Sequence, residues 1–114
     1  FSLGGRGTWF FATGHADLFT GAIPIAGPVN EGVLDEIGGM PIDRLDAMPI
    51  HIVHSRDDEL VAFEPAAEAA ERLKERGNPV ELTALSGIGH FAMGGYVSSL
   101  KEAGDWMLEQ WGKK

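Results

Sequence analysis

Cysteine is absent from all 114 residues. That excludes a disulfide framework and thiol chemistry, and it fits a reducing or an oxidising compartment equally. Basic residues are few: nine Lys and Arg stand against seventeen Asp and Glu, a net charge of −8. Nucleic acid and anionic membrane surfaces both demand a basic footprint, so neither is an expected partner. No apolar run approaches the ~20 residues that a spanning helix needs. The first residues lack the basic segment that opens a signal peptide; a signal upstream of Phe1 would escape notice, so localisation stays open. Phosphate-loop signatures are missing too. Gly4-Gly5-Arg6-Gly7 matches neither G-x-x-x-x-G-K-[ST] nor G-x-G-x-x-G.

Glycine, by contrast, is plentiful, with sixteen residues clustered at segment junctions. Between them the pattern alternates. Residues 7–13, with Trp9, Phe10, Phe11 and Ala12, predict a helix ended near Gly14. Residues 21–27 form an apolar run bounded by glycines and predict a buried parallel strand. Pro24 weakens that strand, because it cannot donate to a ladder. Residues 28–48 are loop-rich, with a short helix near 33–37 and a turn at 44–47. Residues 50–54 predict a second strand. Residues 64–76 give the clearest helix, rich in alanine and ended by Gly77. Residues 80–85 predict a third strand, 86–89 a turn, and 97–111 a final helix. On that helix Leu100, Ala103, Met107 and Trp111 share one face.

Alternating strands and helices imply an α/β fold, a parallel sheet with helices on both faces. Right-handed crossovers bring the carboxyl ends of the strands to one edge, where ligands of open sheets bind. The length suffices for one small core. It is short for a complete α/β enzyme, which often runs to roughly 200–250 residues.

Three chemistry-bearing residues fall at that edge. Ser2, in Ser2-Leu3-Gly4-Gly5 before a helix, reads as the second half of a nucleophile elbow, G-x-S-x-G. The first small residue of that motif would precede Phe1. The chain is therefore expected to be the C-terminal portion of a single catalytic domain, with the N-terminal half outside it. Asp58 follows the second strand by four residues, and His90 follows the third by five. A serine hydroxyl needs a base to become a nucleophile, and imidazole serves near pH 7. A carboxylate fixes the tautomer of that imidazole. Leu3, directly after the serine, would give an oxyanion its backbone N–H. Asp57 is the alternative acid; its bland role is a solvated loop carboxylate. Phe91 and Met93, beside His90, are candidates for lining a substrate pocket. His51 and His54 are three apart on a strand and face opposite sides, so no metal site is expected of them. His54 is expected to support the acid loop. Trp9, Phe10, Phe11, Trp106 and Trp111 read as packing residues, and the acidic residues of the 64–75 helix as a solvated face.

Phe1-Ser2-Leu3-Gly4-Gly5-Arg6-Gly7-Thr8-Trp9, His15-Ala16-Asp17-Leu18-Phe19 and Ala22-Ile23-Pro24-Ile25-Ala26-Gly27 together resemble the carboxylesterases of the α/β-hydrolase superfamily. The likeness is to the phospholipase/carboxylesterase and polyhydroxybutyrate-depolymerase-like group. His54-Ser55-Arg56-Asp57-Asp58-Glu59-Leu60-Val61 is similar to that group's acid segment, His-Gly-x-x-Asp-x-x-Val. Matching His54 and Val61 puts the acid on Asp58. Gly87-Ile88-Gly89-His90 resembles its histidine loop, and the chain order Ser, Asp, His is that of the superfamily. The chain departs at Ser55, where glycine is usual, and at Ala62, where proline often stands.

This resemblance implies an α/β-hydrolase fold beginning at the elbow, and a serine hydrolase. It would cleave small carboxylic esters through an acyl-enzyme, without metal or organic cofactor. The N-terminal half would carry further strands, the second oxyanion donor and part of the pocket. It would be present as a separate or nicked chain, or disordered. A peptidase of the prolyl-oligopeptidase type and a non-catalytic binding module on the same fold are the alternatives.

Overall fold

A computed structural model describes residues 1–28, 45 and 47–113. Its centre is a parallel pair, β1 (Ile50–Ser55) and β2 (Val80–Leu85), in register from Ile50 against Val80 to Ser55 against Leu85. Every residue of β1 is buried, which fits a strand of Ile, Val and His with elements on both faces. Its other edge meets residues 22–25. These do not make the continuous strand the sequence predicts. They touch β1 through isolated parallel bridges, Ala22 to Ile50 and Ile25 to Val53. Pro24 is the physical reason, since it has no N–H to give; its carbonyl still accepts from Val53 N–H at 3.1 Å.

Side chains alternate across β1 and divide the core between its two faces. Ile50 and Ile52 join Trp9 and Ala12 of helix α1 (Leu3–Gly14) and Ala66, Ala69, Ala70 and Leu73 of helix α2 (Glu64–Glu75). Val53 joins Ile25, Ala26 and, from helix α3 (Met93–Gly112), Tyr96 and Ala103. Helix α2 begins with Pro in its first turn and carries Arg72 and Lys74 in its last, where cations suit the helix dipole. Gly77, at φ +90°, then turns the chain back toward β2.

The predicted helices 7–13, 64–76 and 97–111 are present, with α1 and α3 starting four residues earlier than expected. The buried face of α3 differs from the expected one. It consists of Tyr96, Ser99, Ala103 and Met107, whereas Leu100 is 47% and Trp111 41% exposed. Ser99 is tolerated inside because its hydroxyl donates to Gly95 O at 3.1 Å. Trp111 is anchored by its indole N–H, which donates to Thr20 O at 2.9 Å. The helix expected near 33–37 lies outside the described residues. Of the turn at 44–47 only Leu45 and Ala47 are described; Met48 N–H donates to Leu45 O at 3.1 Å.

Candidate active site

Ser2 stands immediately before α1 with φ 55° and ψ −117°. A non-glycine residue at positive φ costs about 1–3 kcal/mol, so its surroundings must hold it there. They do so through the backbone: Ser2 N–H donates to Ile25 O at 2.8 Å, and Gly4 N–H to Phe1 O at 2.8 Å. The first turn of α1 also lies directly on the bend at 25–27. A Cβ on Gly5 would meet Gly27 Cα and Ile25 O at 2.8 Å, both backbone atoms that cannot swing aside. The steric demand for glycine in the Gly4-Gly5 pair thus falls on Gly5. Gly4 has open space around it among the described residues.

Asp58 lies in the loop after β1. One carboxylate oxygen, Oδ1, accepts the N–H groups of Leu60 at 2.9 Å and Val61 at 2.8 Å. This local turn bonding is typical of Asp. The other, Oδ2, accepts from His90 Nδ1 at 2.7 Å and lies 3.6 Å from His54 Nε2. Burial pushes the Asp58 carboxyl up. The hydrogen bond from His90, those from the Val61 and Leu60 amides and the charge of His90 together outweigh burial and hold it below its ordinary value.

His90 is 1% exposed and its Nε2 lies 2.7 Å from Ser2 Oγ. An ionised carboxylate only accepts, so Nδ1 carries the proton. On a neutral ring Nε2 is then free to accept the Ser2 hydroxyl. Rings enclose the imidazole: Phe1 at 5.2 Å and Phe91, edge-on, at 5.0 Å. Ser2, Asp58 and His90, from three separate loops, therefore converge in one hydrogen-bonded line.

The other predicted residues are placed as follows. Leu3 is the first residue of α1, so helix geometry leaves its N–H without an intrahelical acceptor. Phe91 is 69% and Met93 50% exposed. A separate apolar cleft of about 470 Å³ runs between α1 and residues 19–23, lined by Gly7, Thr8, Phe11, Phe19 and Ile23 among others; neither Phe91 nor Met93 borders it. Asp57 does not face His90; its Oδ2 accepts Gly87 N–H at 2.6 Å. His54 supports the acid loop, with Nε2 bonded to Val61 O at 2.8 Å. His51 points to the other face, bonded to Thr83 Oγ1 at 2.8 Å and edge-on to Trp106. Among the described residues no group of three His, Asp or Glu side chains is arranged to hold a metal ion. Sequence reasoning missed Ser55 and Glu59, which reach the histidine loop: Ser55 Oγ donates to Ile88 O at 2.7 Å, and Glu59 Oε2 accepts His90 N–H at 3.1 Å. Only the departure from glycine at Ser55 hinted at either.

No protein-family model matches the sequence, and no curated protein matches it significantly. Solved structures do. A thermostable esterase superposes with a TM-score of 0.72 at 26% identity, over 95% of this chain and 29% of that one. SOBER1 from Arabidopsis thaliana gives 0.68 at 26% identity, over 95% of this chain and 49% of that one. Esterase PE8, at 18% identity and a TM-score of 0.50, covers 74% of this chain and 39% of its own. The fold is thus α/β-hydrolase-like and esterase-like. The chain spans half the length of these relatives or less.

Proposed function

We propose that this chain carries the catalytic groups of a serine ester hydrolase of the carboxylesterase or phospholipase type. The observation that supports the reading is the line Ser2 Oγ, His90 Nε2, His90 Nδ1, Asp58 Oδ2, with both hydrogen bonds at 2.7 Å. The esterase neighbours favour ester as the substrate class.

Ser2, on a nucleophile elbow, attacks the acyl carbonyl while His90 Nε2 takes the hydroxyl proton. Asp58 holds the ring in the reactive tautomer and stabilises the imidazolium. The negative oxygen of the tetrahedral intermediate is met by the Leu3 N–H at the start of α1. His90 returns the proton to the leaving alcohol, then activates a water that frees the acyl group from Ser2. Phe91 and Met93 flank the acyl or alcohol group. As this chain covers 29% of the thermostable esterase and 49% of SOBER1, we place the second oxyanion donor and the rest of the pocket in residues outside this chain.

The test is Ser2→Ala in the complete protein, assayed on p-nitrophenyl esters beside peptide anilides. Ester turnover is expected to fall by at least about 10⁴-fold. Turnover within tenfold of the unsubstituted protein would contradict the assignment, and faster cleavage of anilides than of esters would point to a peptidase.

A further inference from the structure

The loop that bears Asp58 holds two more carboxylates than the proposed chemistry uses. Asp57 and Glu59 are both exposed, and a solvated loop face would explain them if their oxygens pointed to water. They do not. Asp57 Oδ2 accepts Gly87 N–H at 2.6 Å and Glu59 Oε2 accepts the N–H of His90 itself at 3.1 Å. Between those two ties Ser55 Oγ donates to Ile88 O at 2.7 Å and also accepts Asp57 N–H at 3.1 Å. Three alternate residues, the last of β1 and two of the loop after it, thus grip three of four consecutive residues of the histidine loop. Both glycines of Gly87-Ile88-Gly89-His90 suit this arrangement. Gly87 adopts φ +77°, and a Cβ on Gly89 would come within 2.9 Å of Glu59 Oε2, the space the carboxylate fills.

We propose that Asp57 and Glu59 are positioning residues, which clasp the backbone of the histidine loop so that the His90 imidazole meets Ser2 and Asp58 at once. The role rests on the reading of His90 as the general base. Hydrogen bonds to ionised acceptors are about twice as strong as neutral ones, and a catalytic group displaced by 1 Å loses about 10²-fold in rate. Without the clasp, the hydrogen bonds that tie this loop to the segment bearing Asp58 reduce, among the described residues, to the Ser55 tie and the bond of the imidazole to Asp58, beside the packing of Ile88 on the core.

The experiment uses the complete protein with two readouts: ester kinetics, and amide hydrogen exchange at Gly87 and His90. Glu59→Ala is expected to lower kcat by about 10- to 100-fold with KM changed less than about twofold, because the loss is of geometry and not of substrate contact. Glu59→Gln keeps an acceptor oxygen and is expected to recover most of that loss. Asp57→Ala and Asp57→Asn are expected to behave as a parallel pair. Exchange at the His90 amide should quicken about tenfold or more in Glu59→Ala, and that at Gly87 in Asp57→Ala, as each loses its acceptor. Kcat within twofold for both alanine variants, or Glu59→Gln as impaired as Glu59→Ala, overturns the proposal. Unprotected amides in an active unsubstituted protein overturn the clasp alone. Protected amides in a protein that hydrolyses no ester overturn the hydrolase reading, and the positioning role with it, while leaving the clasp in place.

Discussion

Asp58→Asn separates the geometry of the site from its chemistry. Asparagine is the same size, and its oxygen can take the place of Oδ1, which accepts from Leu60 and Val61 at 2.9 and 2.8 Å. The loop is then held as before. The amide nitrogen falls where Oδ2 now receives His90 Nδ1 at 2.7 Å. Two donors cannot face each other, so Nδ1 must become the acceptor and the ring proton moves to Nε2. There it points at Ser2 Oγ, and His90 can no longer take the hydroxyl proton. The same exchange in a well-studied serine protease triad lowers kcat about 10⁴-fold. At 1.36 kcal/mol per factor of ten that is about 5 kcal/mol of transition-state stabilisation. The assay is kcat on p-nitrophenyl acetate for the complete protein, with thermal unfolding measured alongside. A variant that folds normally and keeps kcat within tenfold would refute the role given to Asp58.

Two further predictions concern the scaffold. Gly5→Ala places a Cβ 2.8 Å from backbone atoms of residues 25 and 27. Overpacking of this kind costs about 1–3 kcal/mol, which exceeds the helix-propensity gain of about 1 kcal/mol. Net destabilisation in denaturant unfolding is expected, and an unchanged or raised midpoint would refute the close approach of α1 to that bend. His51 gives a pH dependence. Burial lowers its pKa in the fold, against the opposing charges of Glu81 and Glu102, so the unfolded chain takes the proton more readily. Stability carried by the neutral ring is complete above the unfolded value of about 6.5 and is lost as pH falls from there toward the lowered folded value. The unfolding free energy of the unsubstituted protein should therefore drop relative to His51→Gln on acidification from about pH 8 to 5.5, and a constant difference would contradict the burial account.

Much of this architecture was legible in the residues. Val80–Leu85 is bounded by Asn78-Pro79 and Ser86-Gly87, so turn chemistry marks both its ends. Parallel topology gathers Asp58 and His90, which follow β1 and β2, at one edge; Ser2 follows no strand of the described residues and is held there by the bond of its N–H to Ile25 O. Two features were hidden for different reasons. On α3 several sets of apolar residues recur at helical spacing. Periodicity alone could not favour the Tyr96, Ser99, Ala103 and Met107 stripe, since it contains a serine whose polarity is cancelled by its own helix backbone. The grip of Asp57 and Glu59 on the histidine loop joins residues about thirty apart through side chain and backbone, and no local pattern encodes such a pair. Acidic residues in a turn look alike whether their oxygens meet water or an amide.

The most direct test of the central claim is intact-mass and peptide mapping of the complete protein after treatment with a fluorophosphonate. The account requires one adduct, on Ser2, that disappears in Ser2→Ala and slows strongly in Asp58→Asn. A folded complete protein that takes no adduct, or takes it on another serine, would contradict the assignment of Ser2 as the nucleophile.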